Sequence, residues 1–296
     1  MKNKMPMKAR EMIPQACLLI VMLAIVLVCI LPIFNVVAIS LSSKSAILRS
    51  DVTFWPVEFT TMAYSAIFKD PSMITSLLFT IRITVIYTAF AMVLTILLAY
   101  PLTKKRLKGR SFITVFVIFT MYFSGGTIPV YLNVKDFGLL DTQWALIVPG
   151  LISTYNMIIL KSFFSSLPQE LEEAAIIDGA NDFTVLLRVF LPLSLSSVAT
   201  LSLFYAVGKW NSFADALYYI SARQLQPLQL KLYNIIKGST SVDVAMMEGN
   251  VAEVGYSISE SIEAATIIFS TLPILIVYPF VQRYFVKGVT IGAVKG

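Results

Sequence analysis

The polar residues with the most distinctive spacing lie in one segment, 165–191, between two strongly apolar stretches. Its first half is acidic, because Glu170, Glu172 and Glu173 fall within four residues. Negative side chains favour the first turns of a helix, where they face the positive end of the helix dipole. Gly179 marks the expected end of that helix, since glycine enters the left-handed conformation without a Cβ clash. The pattern predicts a short acidic helix.

A second short helix is predicted directly after the glycine. Asn181 and Asp182 can cap its first turn. Its apolar residues recur at the spacing of one helical face, and they are Phe183, Leu186, Leu187 and Phe190. For the first helix, Ser166 and Gln169 fit the spacing of a capping box. The segment is therefore expected to form two helices joined at Gly179.

Two interpretations of this helix pair are open. An interfacial elbow would lie on the lipid headgroups, with the apolar stripe inserted. Against that, an acidic cluster should avoid an anionic membrane surface. The small side chains of Ala174 and Ala175, beside Gly179, also let another protein approach closely. A docking site for a protein partner is therefore the better interpretation.

Catalytic chemistry has few groups to draw on. Histidine is absent, which removes imidazole as a base, metal ligand or pH switch. The two cysteines, Cys17 and Cys29, share one apolar run and suggest neither a disulfide framework nor a metal cluster. No stretch resembles the Gly-x-x-x-x-Gly-Lys-Ser/Thr phosphate loop, so nucleotide is expected to bind another chain. We expect no covalent chemistry, no metal and no cofactor in this chain.

The composition indicates a membrane protein. Of the 296 residues, 57% are hydrophobic and only 14% are charged, and the mean hydropathy is +0.79. Soluble domains contain about 45–50% apolar and about 25% charged residues, so one globule would not hide this apolar content. The formal net charge of +6 then suggests basic cytoplasmic loops rather than nucleic-acid binding.

The elements that position the 165–191 segment are predicted membrane helices. Six stretches reach the roughly 20 apolar residues that a bilayer requires, and they lie at 13–39, 76–101, 112–131, 143–164, 192–219 and 264–286. The predicted fold is an all-α membrane protein with about six transmembrane helices. We expect a single domain over 1–296, with its core at about 72–287 after the N-terminal helix.

The distribution of Lys and Arg predicts the orientation in the membrane. The short connection 102–111 carries five basic residues, and short basic loops remain in the cytoplasm. With an even number of spans, both termini are then cytoplasmic. The connections 40–75, 132–142 and 220–263 face outward. The last is predicted to be a long flexible loop, because it contains Gly238 among serines.

Polar side chains inside the apolar stretches are candidates for a solute path, because transport needs a polar route through an apolar slab. These candidates are Tyr205, Trp210, Asn211, Asp215 and Arg82. The structural alternative for them is an aromatic belt with snorkelling cations. The pair Gly125-Gly126, followed by Pro129, predicts a break in the third helix, either a packing kink or a gating element.

The 165–191 segment carries a family resemblance. Glu173-Ala174-Ala175, Asp178-Gly179-Ala180 and Leu191-Pro192 resemble the EAA signature of ABC importer permeases. Three further motifs resemble the carbohydrate-uptake branch, the maltose-type second permease and its relatives for complex or acidic oligosaccharides; they lie at 123–129, 210–211 and 285–296. One departure is Ser196, where many members have a second proline.

The resemblance implies a permease subunit of an ATP-driven importer for a carbohydrate, and an oligosaccharide in particular. The implied partners are a homologous second permease, two ATP-binding subunits that bind ATP and Mg²⁺, and an extracytoplasmic solute-binding protein. The 165–191 segment would sit in a groove of an ATP-binding subunit and couple ATP-driven closure to a switch between inward and outward access. The tail 288–296 would reach between those subunits, unless it is a frayed terminus. The implied location is the bacterial cytoplasmic membrane.

Other functions stay open at this point: an ABC permease for another solute, an ion-coupled secondary transporter, or a membrane-embedded enzyme. A secondary transporter predicts inverted repeats and paired intramembrane carboxylates. Acids are almost absent from the apolar stretches, and Asp215 is the clearest exception. An enzyme would need a catalytic constellation, which the apolar stretches lack.

Overall fold

The computed structural model describes residues 9–247 and 260–293, and every regular element within those ranges is a helix. The α-helices are α1 (Ala9–Ser40), α2 (Lys44–Leu48), α3 (Met62–Lys69), α4 (Pro71–Ala99), α5 (Arg110–Tyr122), α6 (Thr127–Asp136), α7 (Thr154–Ser165), α8 (Gln169–Ile177), α9 (Asp182–Val185), α10 (Leu191–Leu193), α11 (Leu195–Asn211), α12 (Ala214–Tyr219), α13 (Leu228–Met247) and α14 (Glu260–Ala293). Short 3₁₀ turns lie at Pro101–Thr103, Gln143–Leu146, Val148–Gly150 and Arg223–Leu225, and a π-helical turn lies at Leu186–Phe190. The predicted all-α class is confirmed.

Three helices are long and apolar enough to cross a membrane by themselves: Gln15–Ser40, Pro71–Thr103 and Glu260–Pro279. Three more candidates are bent pairs, namely Arg110–Tyr122 with Thr127–Asp136 (112°), Gln143–Gly150 with Thr154–Ser165 (50°), and Asp182–Leu193 with Leu195–Asn211 (83°). If each bent pair is one span, the described residues contain up to six, in agreement with the six predicted stretches.

The third predicted stretch, 112–131, is not one straight helix. It is divided at 123–126, where α5 ends and α6 begins at an angle of 112°. Gly126 has a φ of +87°, a conformation that L side chains rarely adopt. The predicted break at Gly125-Gly126 is therefore present, and it is a sharp turn rather than a slight kink.

The fifth predicted stretch, 192–219, also has different bounds. The candidate span begins earlier, at Asp182, and α11 ends at Asn211. Ser212 adopts an extended conformation and interrupts the helix before α12. Apolar composition alone did not reveal this interruption, because the long apolar stretch around it outweighs its few polar residues, Lys209, Asn211 and Asp215.

The predicted flexible loop 220–263 and the tail both contain helix where the structure describes them. The connection 220–263 contains α13, whose Leu228 and Leu230 are buried. The Leu228 backbone N donates to Thr80 Oγ1 over 2.9 Å. At the end of the chain, α14 continues to Ala293. Residues 248–259 and 294–296, which belong to the same two predictions, lie outside the described residues.

The chain divides into two compact units, one of Pro71–Asn234 with Ser270–Gly296 and the other of Met1–Asp70 with Ile235–Phe269. In the first unit, α4 packs against α7 and α11. Buried side chains from these helices and from the 165–191 segment form one core cluster, which includes Tyr100, Phe164 and Phe190. The predicted single domain over 1–296 stays a prediction.

In the other unit, the chain after α1 folds back on the end of that helix. The Thr60 backbone N donates to Leu41 O over 3.0 Å, and the Val57 backbone N donates to Ser42 Oγ over the same distance. Ser40 Oγ and Tyr64 Oη share a hydrogen bond of 2.9 Å. These bonds give the connection 41–61 a defined conformation, although it is mostly not helical.

One carboxylate organises the surface of this connection. Glu58 accepts hydrogen bonds from the hydroxyls of Ser43 and Ser45, the latter over 2.8 Å, and from Arg49 Nη2 over 2.7 Å. The Ser43 bond, followed by those from Arg49 and Ser45, lowers the pKa of Glu58 to about 2. A lowered pKa means that the ionised carboxylate stabilises the loop above its ordinary pKa of 4.5, and that this contribution is lost as the pH falls through about 2.

Glu58→Gln should loosen the 41–61 connection, because the amide keeps the shape of the side chain but loses its charge-assisted bonds. We expect trypsin to cleave the detergent-solubilised variant after Lys44 and Arg49 severalfold faster than the parent, with unchanged thermal unfolding of the helices. Asp51→Asn is the matched control, since the Asp51 carboxylate accepts one bond, of 2.8 Å, from Arg49. The cleavage rate of Asp51→Asn should fall between those of the parent and Glu58→Gln. Parent-like cleavage of Glu58→Gln would contradict this role.

Candidate functional site

The acidic helix predicted in the 165–191 segment is α8, and it ends where glycine was expected to stop it. Gly179 has a φ of +82°. Its backbone N donates to Ile176 O over 3.0 Å, and the Ala180 backbone N donates to Ala175 O over 2.9 Å. This pair of bonds is a Schellman motif, which satisfies carbonyl groups at the helix end. A Cβ at Gly179 would have no heavy atom of the described chain within 4 Å, so intramolecular crowding does not require glycine there.

The start of α8 differs from the prediction. Pro168 occupies the N-cap position, and no side chain caps the helix there. Ser166 Oγ instead donates to Phe163 O over 2.7 Å and closes the last turn of α7. The predicted capping box between Ser166 and Gln169 is therefore wrong, because the hydroxyl belongs to the end of the preceding helix.

The two faces of α8 differ in burial. Ala175 and Ala180 are half-buried and pack against the core cluster. Glu173, Ala174 and Asp178, the other residues of the signature near Gly179, are exposed. Beside them Ile177 leaves 85% of its surface exposed. One face of α8 thus anchors the helix, and the other is free to meet another molecule.

The second predicted helix begins as expected. Asn181 Oδ1 accepts the Thr184 backbone N–H over 2.8 Å, which is the predicted N-cap. The predicted apolar stripe, however, is divided. Leu186 and Phe190 are buried, whereas Phe183 and Leu187 are exposed. Phe183 and Leu187 lie along one edge of the stripe and Leu186 and Phe190 along the other, so the core covers only the second edge.

Leu191 and Pro192 lead from this turn into a sharp bend. Leu191 packs against the core cluster, and Pro192 is exposed in the three-residue helix α10. Ser194 leaves helical geometry, with φ −102° and ψ 11°, and the axis turns by 83° before α11. Proline lacks the N–H that would continue the helical ladder, so a break beside it is expected. The bend separates the surface part of the segment from the membrane helix α11.

Lys104 is a further residue of this site, and the sequence indicated it only as one of five basic residues in the connection 102–111. Its side chain is 9% exposed, and its Nζ lies 2.7 Å from Glu172 Oε2. The contact is an ion pair outside hydrogen-bond geometry. The same ammonium lies 4.1 Å from the centre of the Tyr100 ring and 4.2 Å from that of Phe190. Tyr100 is only four residues before Lys104, but Glu172 and Phe190 are far away in the sequence, so no local pattern predicts their contacts.

A second ion pair joins the same connection to the 165–191 segment. Arg106 Nη2 contacts Asp182 Oδ1, and both side chains are more than half exposed. Asp182 was predicted as a capping residue, but Asn181 provides the cap. The basic connection 102–111 is therefore attached to both helices of the segment, through one buried and one exposed pair.

Two of the candidate solute-path residues are buried within the chain. Tyr205 Oη shares a hydrogen bond of 2.7 Å with Thr95 Oγ1 and accepts the Ser153 backbone N–H over 3.2 Å. Trp210 Nε1 donates to Ser270 O over 3.1 Å. Both side chains thus hold helices together in this conformation. Their assignment to a solute path stays a prediction.

Asn211 and Asp215 lie at the break between α11 and α12, and both keep exposed surface. Asp215 Oδ2 accepts from Ser212 Oγ over 3.2 Å and lies 3.5 Å from the Nζ of Lys209. Lys209 is itself buried and lies 5.1 Å from the centre of the Tyr87 ring. The break therefore places an amide and a paired carboxylate at the end of α11.

Arg82 is exposed on the first half of α4. Its guanidinium lies 5.2 Å from the centre of the Phe79 ring. Together with Thr75, Leu78 and Gln224, these two residues line a surface depression. Arg82 precedes Tyr100 by 18 residues, about 27 Å along a helix, and is therefore far from the contacts of Lys104.

Residues 65–291 match the family model described as "binding-protein-dependent transport system inner membrane component". The chain is 41% identical over 278 residues to the polygalacturonan/rhamnogalacturonan transport system permease protein YtcP of Bacillus subtilis, which covers 93% of this chain and 96% of that protein. It is 44% identical over 267 residues to protein LplC of the same organism, with 90% of each chain covered.

A solved structure is similar over nearly the whole chain. It is the crystal structure of a bacterial ABC transporter involved in the import of the acidic polysaccharide alginate. The TM-score is 0.83 and the identity 33%, and the match covers 95% of this chain and 100% of the other. The fold of this chain is therefore similar to the fold of a chain in a known ABC transporter.

Tyr205→Phe tests whether Tyr205 stabilises the helix packing. Removing the hydroxyl leaves the Ser153 backbone N–H without its acceptor, which should lower the free energy of unfolding by about 1–3 kcal/mol. The measurement is the thermal unfolding midpoint in detergent. Tyr155→Phe is the control, because Tyr155 is exposed on α7, and it should unfold like the parent. An unchanged midpoint for Tyr205→Phe would contradict the packing role.

Proposed function

The chain belongs to the family of binding-protein-dependent transport system inner membrane components, and we propose that its system imports an acidic oligosaccharide. As a member of that family it is a multi-pass membrane permease of an ABC importer. The acidic class is supported by the names of its relatives, which refer to polygalacturonan, rhamnogalacturonan and alginate. Such polymers carry sugar carboxylates, and the exposed Arg82 is a cation suited to them.

The 165–191 segment is the proposed docking site for an ATP-binding subunit. The observation that carries this proposal is the exposed face of α8, with Glu173, Ala174 and Ile177, on a helix whose other face is anchored in the core. Small residues permit close approach, the carboxylate can meet a cation, and Ile177 can fill an apolar depression. The turn at Gly179 holds these groups in one orientation.

ATP and Mg²⁺ would bind to two separate ATP-binding subunits, where hydrolysis would also occur. A homologous second permease would complete the path, and a solute-binding protein would deliver the sugar from outside. The N-terminal and C-terminal ends and the connection 102–111 would face the cytoplasm, since that connection carries five basic residues. This orientation puts α8 on the side where ATP is available.

The proposed mechanism is a change between two conformations rather than a chemical reaction. Closure of the ATP-binding subunits would move α8, and the bend at Ser194 would convert that movement into a tilt of α11. Inward and outward access would then alternate. ATP binding can shift this equilibrium only if it favours one conformation over the other.

The solute path would use polar groups that keep exposed surface. Arg82, Asn211 and Asp215 meet that condition. Arg82 would form a charge-assisted bond with a sugar carboxylate, and Asn211 would donate an amide hydrogen bond to a hydroxyl. Tyr205 and Trp210 would support these residues from the packed interior in the conformation described.

Gly179→Val tests the docking proposal. Valine at a positive φ costs about 1–2 kcal/mol, and its side chain would project toward the docked subunit. We expect normal membrane insertion but loss of ATP hydrolysis stimulated by the binding protein, measured on the complete transporter in proteoliposomes. Gly138→Val is the control, because Gly138 also has a positive φ of +66° and open space around its Cβ. Normal uptake by Gly179→Val would rule out the docking assignment.

Arg82→Gln tests the acidic substrate. The KM for uptake of an oligogalacturonate should rise about tenfold, which corresponds to the 1.4 kcal/mol expected of a lost charge-assisted bond. Arg82→Lys keeps the charge and should lie nearer the parent, and Arg223→Gln, at another exposed arginine, is the control. An unchanged KM would remove Arg82 from the path. Equal uptake of a neutral oligosaccharide by the parent would show that the substrate class is wrong.

A further inference from the structure

Lys104 occupies an unusual environment for a lysine. Lysine is almost never buried unless it is paired, because a buried ammonium loses its hydration. Here 91% of the side-chain surface is covered, and the ammonium has one carboxylate, Glu172, within ion-pair distance. The faces of Tyr100 and Phe190 complete its surroundings at 4.1 and 4.2 Å. Aromatic faces attract cations most strongly when water is excluded.

The three partners belong to different elements that the proposed mechanism must move together. Glu172 lies on α8, the proposed docking helix. Tyr100 directly follows α4, and Phe190 ends the π-helical turn that leads toward α11. The rings also contact each other, with centres 5.1 Å apart and planes at 81°. The ammonium of Lys104 is therefore the point at which the docking helix meets the ends of two membrane helices.

We propose that Lys104 is a positioning residue that transmits movement of α8 to α4 and α11. This inference rests on the proposed docking of an ATP-binding subunit on α8. If α8 moved away alone, the ammonium would lose its carboxylate while it remained between two rings. A buried charge without its partner is strongly unfavourable. The elements therefore move as one body, and the displacement of α8 reaches the membrane helices instead of being absorbed locally.

The neighbouring ion pair lacks these properties and provides a matched comparison. Arg106 and Asp182 join the same connection to the same segment, but both side chains are more than half exposed. Exposed pairs are screened by water and contribute little. Lys105 is an exposed cation next to Lys104. Variants at Lys105 and Arg106 change the charge of the connection 102–111 without changing the buried contact between Lys104 and Glu172.

The experiment uses the complete transporter in proteoliposomes, with Cys17 and Cys29 replaced by serine. Two quantities are measured: ATP hydrolysed per oligogalacturonate imported, and the rate at which Gln224→Cys reacts with a membrane-impermeant maleimide with and without ATP and vanadate. Gln224 is exposed beside Arg82, so its labelling reports the end of the unit far from Lys104. The second quantity does not require the substrate to be known.

In Lys104→Met we expect basal ATP hydrolysis to continue, while the ATP-dependent change in labelling falls at least about fivefold, the lower range of couplings between sites. The ATP used per solute should rise to a similar extent. Lys104→Arg keeps the cation and should retain most of the response. The response of Glu172→Gln to ATP should lie between those of Lys104→Met and Lys104→Arg, because the ammonium still contacts the rings of Tyr100 and Phe190. Lys105→Met and Arg106→Gln should behave like the parent.

The inference is overturned if Lys104→Met responds to ATP like the parent, or if Lys105→Met or Arg106→Gln loses as much. It is also overturned if Lys104→Met and Glu172→Gln both fail to assemble, since Lys104 would then be needed for folding alone. A parent that hydrolyses ATP without any change in labelling contradicts the docking proposal itself. A parent that changes its labelling but does not import oligogalacturonate contradicts only the proposed substrate, and the test of Lys104 stands.

Discussion

Hydrogen bonds made by tyrosine side chains join α4, α11 and the residues just before α7, and the other elements depend on this packing. In a bilayer, apolar contact alone gives little preference for one helix arrangement, because lipid tails are as apolar as leucine. Polar bonds between helices can supply that preference. Tyr205 on α11 joins Thr95 on α4 to the backbone at Ser153, and Tyr87 donates to Gly150 O over 2.6 Å. The approach at Gly150 is close, since a Cβ there would lie 3.3 Å from the Tyr87 hydroxyl.

Near α8, a charged side chain also makes specific contacts between the helices. Lys104 is a basic residue of a short connection, yet it is covered almost completely by Glu172, Tyr100 and Phe190. The exposed Arg106–Asp182 pair lies beside it. The first pair is part of the packed interior, whereas the second lies in water and is open to competition from solvent and salt. The buried ion pair is therefore expected to contribute more to stability than the exposed one, although both join the same parts of the chain.

The bends in the helices create the functional geometry. Gly126 permits the sharp turn between α5 and α6, and Pro192 precedes the turn at Ser194. Gly179 ends α8 and leaves its acidic face exposed. Each bend occurs where the backbone cannot continue a regular helix, because proline lacks a donor and glycine tolerates a positive φ. A straight bundle of the same composition would have no projecting surface for a partner.

The sequence by itself determined the helical class, the approximate positions of the apolar stretches, the end of α8 at Gly179 and the cap at Asn181. Each of these depends on residue type and short spacing, which local backbone physics decides. The tertiary structure alone decided which residues are buried. It placed Tyr205 and Trp210 in the packing, and it buried Leu186 and Phe190 while Phe183 and Leu187 stayed exposed. It joined the start of α13 to Thr80. It also enclosed Lys104. Burial depends on contacts between residues far apart in the chain, and neither composition nor periodicity contains that information.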